Sequence, residues 1–498
     1  MSESKEKKQL YDYQKKDLEH IFERFANCPP DYKLLYQLPT GGGKTVIFSE
    51  ITRQYIKEKS KKVLILTHRI ELCYQTSSML TEFGVRNMII DSKVKEVSPD
   101  DDHNCYVAMV ETLNNRLQDK TVEFKDLGLV IIDEAHYNSF RKLFKYFEKS
   151  FLLGVTATPL SSNIKLPMKD NYDELICGSS IGYLVNNGFL AKATTFTYDV
   201  GLGSLKVGIN GDYTVKSSEL VYGNIAMQSK LLYAYRERSV GDKTLIFNNG
   251  INTSKQVFIT FQEAGYENIK HLDSKMSKTE RNEVIEWFRT TDNAILTSVG
   301  ILTTGFDEPS IKTIIMNRAT KSPTLYYQMI GRGSRSLPNK KDFKVIDLGN
   351  NAARFGLWTD EIDWQKIFRA PDLYLLNLIS DEDIERKFKY VMPKELRAKF
   401  AKSEDITFDV KKESLEAVAA GLKSSSVITK SIEQHARIVV ENSNDILEAY
   451  GLARLLEEEI SYRVKQYCYL ISKSTRNYRD WVLEDYEKRL KKTIMMKM

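Results

Sequence analysis

Short runs of apolar residues recur through the first third of the chain, and segments with helical spacing separate them. The runs that predict strands cover residues 33–38, 63–67, 106–110, 129–132 and 152–155, and the predicted helices cover 45–56 and 71–83. Strands that are apolar without alternation are typical of a parallel sheet that is buried on both faces. The repeated order of strand and helix therefore predicts a doubly wound α/β domain.

A second series of the same kind begins near residue 241. Its predicted strands cover residues 244–247, 294–297, 313–316 and 344–347, and its predicted helices cover 254–264 and 277–288. Between residues 163 and 240 the pattern loosens, because Gly, Asn and Ser become frequent. We interpret this interval as a connection between two α/β lobes, with residues 193–199 as an isolated β segment.

Beyond Pro371 the apolar positions recur at steps of three and four residues, which indicates one face of a helix. The positions that show this spacing are Leu452, Leu456, Ile460, Val464, Tyr467 and Ile471. The predicted fold class is therefore α/β, with two parallel-sheet lobes in tandem and an all-helical C-terminal domain. The expected division is a first lobe at 1–190, a connection at 191–240, a second lobe at 241–370 and the helical domain at 371–498.

Composition narrows the class of protein. Of the 498 residues, 42% are hydrophobic and 28% are charged, which is the globular range. No apolar run approaches the roughly 18 residues that span a bilayer, and residues 1–8 are too charged for a signal peptide, so we expect a cytoplasmic protein without a membrane partner. The five cysteines include no C-x-x-C pair, so we expect reduced thiols and no zinc. The net charge of +6 permits a nucleic-acid partner without requiring one.

A glycine-rich loop lies between the first predicted strand and the first predicted helix. Consecutive glycines let backbone N–H groups approach phosphate oxygens, and the helix N-terminus adds partial positive charge. Lys44 is expected to reach the β- and γ-phosphates of ATP, and Thr45 to bind Mg²⁺. Leu38 occupies the place of the first glycine in the usual phosphate-loop pattern, and a plain glycine turn is the alternative. The predicted phosphate-binding residues are Thr40, Gly41, Gly42, Gly43, Lys44 and Thr45.

Two carboxylates, Asp133 and Glu134, directly follow the predicted strand at 129–132. Ligands of α/β folds bind at the carboxyl ends of parallel strands. We expect Asp133 to hold Mg²⁺ and Glu134 to orient and deprotonate the attacking water. The alternative is that these acids only cap a following helix.

Two arginines late in the second series supply the opposite charge. Gln328, Arg332 and Arg335 are spaced by four and three residues, so on a helix they would share one face. Two guanidinium groups on one face favour an anion such as a triphosphate, and in phosphoryl transfer such an arginine accelerates the reaction by roughly 10³–10⁵. We expect all three residues to act in catalysis, although surface ion pairs would also explain the two arginines.

These blocks, in this order between residues 10 and 349, resemble superfamily 2 DEAH-box helicases. The form of the late motifs is most similar to the branch that contains XPB-like, RadD-like and restriction-translocase motors. The resemblance implies that both lobes are RecA-like, that Gln14 reads adenine, and that Gly305 and Asp307 lie at the nucleotide. It also implies that residues 133–136 and 156–159 couple ATP state to nucleic-acid grip, through His136, Thr156 and Thr158.

The resemblance further implies a helicase or translocase that uses ATP and Mg²⁺, with DNA favoured over RNA. Contacts to nucleic acid are expected from Thr67, His68, Arg69, Thr112, Phe247 and Asn248. A nucleotide-switched sensing module and an RNA helicase are the alternatives. The tail lacks the cysteine cluster of RadD-like proteins, since it contains only Cys468. The tail mixes aromatic and basic residues, which fits either single-stranded nucleic acid or a helical bundle with a basic surface, and it could also bind protein partners.

Overall fold

The computed structural model describes residues 9–163, 165–300, 302, 306–387, 389–404, 406–471 and 476–498. A seven-stranded parallel sheet forms the first lobe, with the strand order β3-β4-β2-β5-β6-β1-β7. Its strands are β1 Lys33–Gln37, β2 Lys62–Thr67, β3 Asn87–Ile90, β4 Cys105–Met109, β5 Leu127–Asp133, β6 Phe151–Thr156 and β7 Glu174–Cys177. Strands β2, β5 and β6 are buried along most of their length, as the apolar runs predict.

Helices cover the first sheet and complete its doubly wound architecture. They are α1 Asp12–Asn27, α2 Lys44–Lys59, α3 Ile70–Glu82, α4 Val110–Gln118 and α5 Ile181–Asn186, with 3-10 helices at Asn138–Tyr146 and Met168–Asp170. Helix α2 starts directly at the end of the glycine-rich loop, and β5 ends at Asp133. The sheet thus places both predicted nucleotide-binding segments at its carboxyl edge.

A six-stranded parallel sheet forms the second lobe, in the order β10-β11-β9-β12-β13-β8. Its strands are β8 Lys192–Thr197, β9 Thr244–Asn248, β10 Ile269–Leu272, β11 Ile295–Val299, β12 Thr313–Asn317 and β13 Asp342–Asp347. Its helices are α6 Val215–Tyr222, α7 Ile225–Arg238, α8 Ile251–Glu263, α9 Lys278–Thr290, α10 Pro323–Gly331 and α11 Asn351–Phe355. Two parallel-sheet lobes in tandem are therefore present, as predicted.

The expectation that residues 193–199 form an isolated β segment is wrong. Residues 192–197 form β8, which pairs with β13 at the edge of the second sheet. The strand escapes the apolar-run criterion because, as an edge strand, it stays partly exposed along its length. Its partner lies about 150 residues away, and sequence spacing does not reveal such a pairing. The short strands β3, β7 and β10 were also missed.

Among the residues that the structure describes, the regular elements of the C-terminal region are all helices. Its helices are α12 Trp364–Arg369, α13 Pro371–Leu376, α14 Asp381–Lys387, α15 Lys394–Ala398, α16 Val410–Ala419, α17 Ser425–Glu441, α18 Ile446–Leu455, α19 Glu457–Leu470 and α20 Arg476–Lys497. Leu456, Ile460, Val464 and Tyr467 are buried in its core, as their spacing predicts, although the helix breaks at Leu456. Of the helices described, none has the length and apolar content to cross a membrane.

The start of this region passes back across the first lobe before it joins the second. Helix α12 packs against β7, where the Gln365 side chain donates to the Leu175 carbonyl, and Lys169 donates to the Arg369 carbonyl. Ile384 of α14 then enters the core of the second lobe. The segment from α12 to α14 therefore contacts both lobes.

Candidate active site

The glycine-rich loop has the backbone of an anion cradle. Gly41 and Gly43 have φ angles of 91° and 85°, which are left-handed conformations that glycine adopts without strain. Gly43 caps α2, so the N-terminus of that helix faces the loop. The structure explains why Leu38 replaces the first glycine of the usual phosphate-loop pattern. The Leu38 side chain is fully buried, and the Leu38 N–H donates to the Thr156 carbonyl at 3.0 Å, so this residue extends β1.

The two carboxylates lie at the end of β5 in a buried and strained turn. Asp133 ends the strand, and its Oδ1 accepts the Glu134 N–H at 3.0 Å. Glu134 has a φ of 51°, an uncommon conformation for a long side chain that clusters at functional sites. Within the described residues, the buried Oε2 of Glu134 accepts no hydrogen bond. A carboxylate oxygen left in this state suits a group that orients a substrate molecule.

Opposite charges gather around these carboxylates. Burial lowers the pKa of Lys44, although the nearby charges of Glu134 and Asp133 act to raise it. Burial and the charge of Glu134 raise the pKa of Asp133. Burial alone would also raise the pKa of Glu134, but Lys44, His136 and Arg332 hold it below its ordinary value. Two neighbouring carboxyl groups whose pKa values are pushed apart take different roles, and Glu134 is the one of this pair that is held in the ionised form.

A chain of hydrogen bonds leads from His136, which lies beside the carboxylates, to the second lobe. The His136 ring nitrogen Nδ1 lies 3.5 Å from Glu134 Oε2 and 3.0 Å from Thr156 Oγ1. Thr156 Oγ1 donates to the Thr158 carbonyl at 3.0 Å. Thr158 Oγ1 then donates to Thr324 Oγ1 of α10 at 3.1 Å, which crosses from the first lobe to the second. The three residues predicted to couple are thus contiguous.

The second lobe presents its arginines to the phosphate loop, but not from one helix face. Helix α10 ends at Gly331, so Arg332 caps the helix and Arg335 lies beyond it. The prediction of a shared face is wrong, although both arginines lie in the same charge cluster. Arg335 donates from Nη1 to the Gly41 carbonyl at 2.8 Å and holds Asp307 through Nε and Nη2, at 2.9 and 3.2 Å.

Three further side chains close the site. Tyr13 Oη donates to the Gly42 carbonyl at 2.8 Å, and Gln14 Nε2 approaches the same oxygen at 3.4 Å. Gln328 is buried, and within the described residues its Nε2 donates no hydrogen bond. Burial lowers the pKa of Arg332 to about 10, so the guanidinium remains a cation at neutral pH. These groups surround the loop with donors and positive charge.

The lobes also approach each other closely beside these arginines. A Cβ atom added to Gly331 would lie 2.5 Å from the Cβ of Thr40 in the phosphate loop. The Ser334 hydroxyl donates to the Thr40 carbonyl at 3.4 Å, and a Cβ on Gly41 would lie 2.7 Å from that hydroxyl. A side chain at position 331 would therefore clash with Thr40 of the first lobe unless the two lobes moved apart.

Two family models match this chain. One is described as "Type III restriction enzyme, res subunit" and matches residues 7–161, and the other is "Helicase conserved C-terminal domain" and matches residues 224–336. The first match contains the phosphate loop and the carboxylates, and the second contains α10 and Arg332. The chain thus carries a domain of the restriction-enzyme res-subunit type, followed by a helicase C-terminal domain. The two matches support an ATP-dependent helicase or translocase, and the restriction-enzyme model is consistent with the restriction-translocase branch of superfamily 2.

Individual relatives are distant. A "51.5 kDa protein" of Lactococcus phage (isolate 7-9) is 29% identical over 340 residues, which are 68% of this chain and 70% of that protein. The "Putative ATP-dependent helicase IRC3" of Saccharomyces cerevisiae is 30% identical over 330 residues, 62% of this chain. The chain spans about half of the yeast protein, 47% of its length.

One solved structure extends the similarity of fold to the helical region. The "ATP-dependent Type ISP restriction-modification enzyme LlaBIII bound to DNA" matches with a TM-score of 0.52 and 14% identity. The match covers 99% of this chain and 42% of that one. At this identity the match shows a similar fold alone.

The residues expected to touch nucleic acid divide into two groups. Thr67, Phe247 and Asn248 are buried at the ends of β2 and β9, so direct contact is excluded in this conformation. Thr67 donates to the Arg69 carbonyl, and the Asn248 amide donates to Thr297 Oγ1 at 2.9 Å, which supports the adjacent loops.

The second group is closer to the surface. His68, Arg69 and Thr112 are half-buried at the carboxyl edge of the first sheet. The His68 ring stacks on Tyr137 at 4.2 Å, and burial lowers the pKa of His68 to about 4, so the ring is neutral. Arg69 is the cation among these three residues.

The sequence motifs do not identify every residue of the site. Tyr137 lies between the rings of His68 and His136, and Thr324 and Ser334 bridge the lobes. Tyr137 directly follows residues 133–136, and Ser334 lies between Arg332 and Arg335, so their positions next to predicted site residues could have suggested both. Thr324 has no such signal, since its partner is 166 residues away. Gly305, by contrast, was predicted but lies outside the described residues.

Proposed function

We propose that this chain is a DNA-dependent ATPase that hydrolyses ATP between its two lobes and uses the cycle to move along a DNA strand. The observation that carries the proposal is the Arg335–Gly41 hydrogen bond, which joins the arginine segment of the second lobe to the phosphate loop of the first. A site that is divided between two lobes links chemistry to relative motion, because the catalytic set is complete only when the lobes are together.

In this mechanism the first lobe holds the nucleotide. Backbone N–H groups of residues 40–43 and the Lys44 ammonium bind the phosphates. Thr45 and Asp133 are the oxygen donors that would hold Mg²⁺, and the ion would neutralise charge on the phosphate oxygens. Glu134 remains an anion next to these cations and acts as the base that orients and deprotonates water. Gln14 contacts the loop from the adenine side.

The second lobe completes the site. Arg332 and Arg335 stabilise the charge that develops on the phosphates, and Gln328 is the third residue that α10 brings to the cleft. Asp307 holds the Arg335 guanidinium in a two-point ion pair, which orients it towards the loop. After hydrolysis these contacts weaken and the lobes separate, and Thr158–Thr324 transmits the change to α10.

DNA is the proposed track because the first lobe matches the model of a restriction-enzyme subunit, a class that acts on DNA. Arg69 and Thr112 of the first lobe would hold the strand by its phosphates, with His68 stacked beside them. Such contacts predict binding that falls with salt and depends weakly on sequence.

The first test is steady-state ATPase activity with single-stranded DNA, duplex DNA or RNA. DNA should stimulate turnover, and Lys44→Ala and Glu134→Gln should each abolish the stimulated rate. Lys57→Ala and Glu58→Gln are matched controls, because both residues are exposed on α2 and should leave turnover unchanged. Stimulation by RNA alone, or wild-type turnover in either active-site variant, would contradict the proposal.

Movement needs a separate assay. A triplex-displacement assay detects translocation on duplex DNA, and strand displacement on a fork detects unwinding. ATPase activity with neither displacement would identify a nucleotide-switched sensor instead of a motor.

A further inference from the structure

A short hairpin projects from the second lobe between β8 and α6. Val207 pairs with Tyr213 across it, and the Thr214 N–H donates to the Lys206 carbonyl at 2.8 Å. The loop is a β-turn in which the Gly211 N–H donates to the Gly208 carbonyl at 3.0 Å, and Gly211 has a φ of 79°. A turn followed by a left-handed glycine is a standard three-residue hairpin loop. The hairpin, residues 206–214, is therefore a defined structure.

The tip of the hairpin carries an apolar side chain in full contact with solvent. Ile209 is completely exposed, and the exposed fraction of Val207 is 50%. Turn positions favour Gly, Asn, Asp, Ser and Pro, so isoleucine has no local reason to occupy this one. Full burial of an isoleucine side chain contributes about 1.5–3 kcal/mol of favourable free energy. Because Ile209 is exposed, a ligand that covers it would gain this free energy on binding.

The root of the hairpin, in contrast, is anchored in the lobe. Tyr213 is buried, and its hydroxyl donates to Asp381 Oδ1 at 2.7 Å and accepts from Arg354 Nη2 at 2.8 Å. Asp212 Oδ2 accepts from Arg318 Nη2 at 3.3 Å. A fixed root and an exposed tip suit an element that transmits force.

The hairpin lies at the carboxyl edge of the second sheet. Asn249, which directly follows β9, donates to the Tyr213 carbonyl at 3.3 Å. Asp212 accepts from the Thr320 hydroxyl at 2.7 Å and from the Lys321 N–H at 2.8 Å, in the loop between β12 and α10. Carboxyl edges are where α/β sheets bind ligands. The same loop leads to Thr324, so the hairpin root is connected to the Thr158 contact with the first lobe.

Charge at the root of the hairpin indicates the chemistry of the ligand. Lys206 is exposed at the first position of the hairpin, and Lys216 is exposed just beyond its end, in the first turn of α6. The one acidic residue of the hairpin, Asp212, faces Arg318. An apolar tip on a basic root matches a nucleic-acid strand, which offers base faces next to phosphates.

We propose that the Ile209 hairpin packs against the bases at a duplex end or fork and separates the strands as the lobes cycle. The proposal rests on the proposed function, because the motion that drives the tip comes from ATP turnover. Asp212 is a positioning residue in this scheme, and Ile209 makes the contact.

Photocrosslinking tests the contact between position 209 and DNA, and it requires binding but no ATP turnover. Ile209→p-benzoylphenylalanine in the full chain is irradiated with a labelled forked DNA, and Ile225→p-benzoylphenylalanine is the matched control. Ile225 is also exposed on the second lobe, but it begins α7. Crosslinks from position 209 should map to the fork junction at a yield at least about tenfold above position 225. Equal yields from the two positions, or crosslinks from 209 that spread evenly along the DNA, would overturn the proposal.

Activity provides the second measurement. Ile209→Ser should weaken binding to the fork about tenfold or more and slow strand displacement, while ATPase activity stimulated by single-stranded DNA stays within about twofold of wild type. Ile225→Ser should change neither. Equal effects of the two variants on fork binding would refute the role of the tip. A wild-type chain that shows no DNA-stimulated ATPase activity would instead refute the proposed function, and the crosslinking result would still decide the contact.

Discussion

The close approach of Gly331 to Thr40 yields the sharpest prediction. In Gly331→Ala the new methyl group would lie 2.5 Å from the Thr40 Cβ, whereas ordinary contacts between such atoms begin near 3.4 Å. The backbone at Gly331 is helical, so the lobe itself accepts alanine. The overlap is relieved when the lobes move apart by about 1 Å, and a misplacement of that size costs about 10²-fold in rate. This factor corresponds to about 2.7 kcal/mol of transition-state stabilisation.

The assay is kcat/KM for ATP at saturating DNA, together with the thermal midpoint of the chain. Gly331→Ala should lower kcat/KM about 100-fold and leave the midpoint unchanged or slightly higher, because alanine favours a helix over glycine. Gly451→Ala is the matched control: Gly451 lies in α18 with no atom within 4 Å of its added Cβ, so activity should be unchanged. A Gly331→Ala variant with activity within about threefold of wild type would refute the claim that a side chain at position 331 forces the lobes apart.

Three further predictions concern the contacts between lobes and the helical region. Thr158→Val and Thr324→Val should be non-additive, with a coupling energy of about 0.5–1.5 kcal/mol in kcat/KM, and additive effects would exclude a functional bond. Arg335→Ala should lower kcat by roughly 10³ or more, because it removes both the cation and the bond to Gly41, and a loss below tenfold in single-turnover hydrolysis would argue against a phosphate contact. Burial lowers the pKa of His435 to about 4. Between pH 6.5 and 4 the unfolded chain therefore binds a proton on His435 that the folded chain does not bind. The free energy of unfolding should fall by up to about 3 kcal/mol as the pH drops through that window. Thermal midpoints at pH 7.5 and 5 check this, and His435→Gln should reduce the difference.

The order of elements and the nucleotide-binding segments were predictable because their signals are local. An apolar run followed by glycines and a lysine predicts both β1 and the loop at Gly41–Lys44. Asp133 directly follows the apolar run 129–132 and is the last residue of β5. The reason assigned to Arg335 was wrong, since helical spacing was assumed past Gly331, where the helix ends. Contacts such as Thr158 with Thr324 depend on how two separate sheets meet, and residue spacing carries no information on that.

The burial of polar residues at the ends of strands could not be predicted from the local sequence either. Thr67 and Asn248 are polar and follow apolar runs, which favours a ligand contact. Their partners, Cys73 and Thr297, come from neighbouring elements and satisfy the polar atoms inside the lobe. The Ile209 hairpin was missed for the opposite reason, because a short Gly-rich stretch predicts a loop and does not indicate how firmly its root is held.

The return of α12 over the first lobe has a mechanical consequence. The chain enters the second lobe after α5 and leaves it towards β7, so that lobe is attached to its neighbour at two separate points. A rigid body held at two points rotates about the line that joins them and has no other large freedom. We therefore expect the cleft to open by a swing about an axis near these two connections, which would return Arg335 to the same place beside Gly41 in each cycle. A cut in the chain between α11 and α12 would leave a single covalent connection between the two lobes. The helical region would then lose its fixed orientation to both lobes.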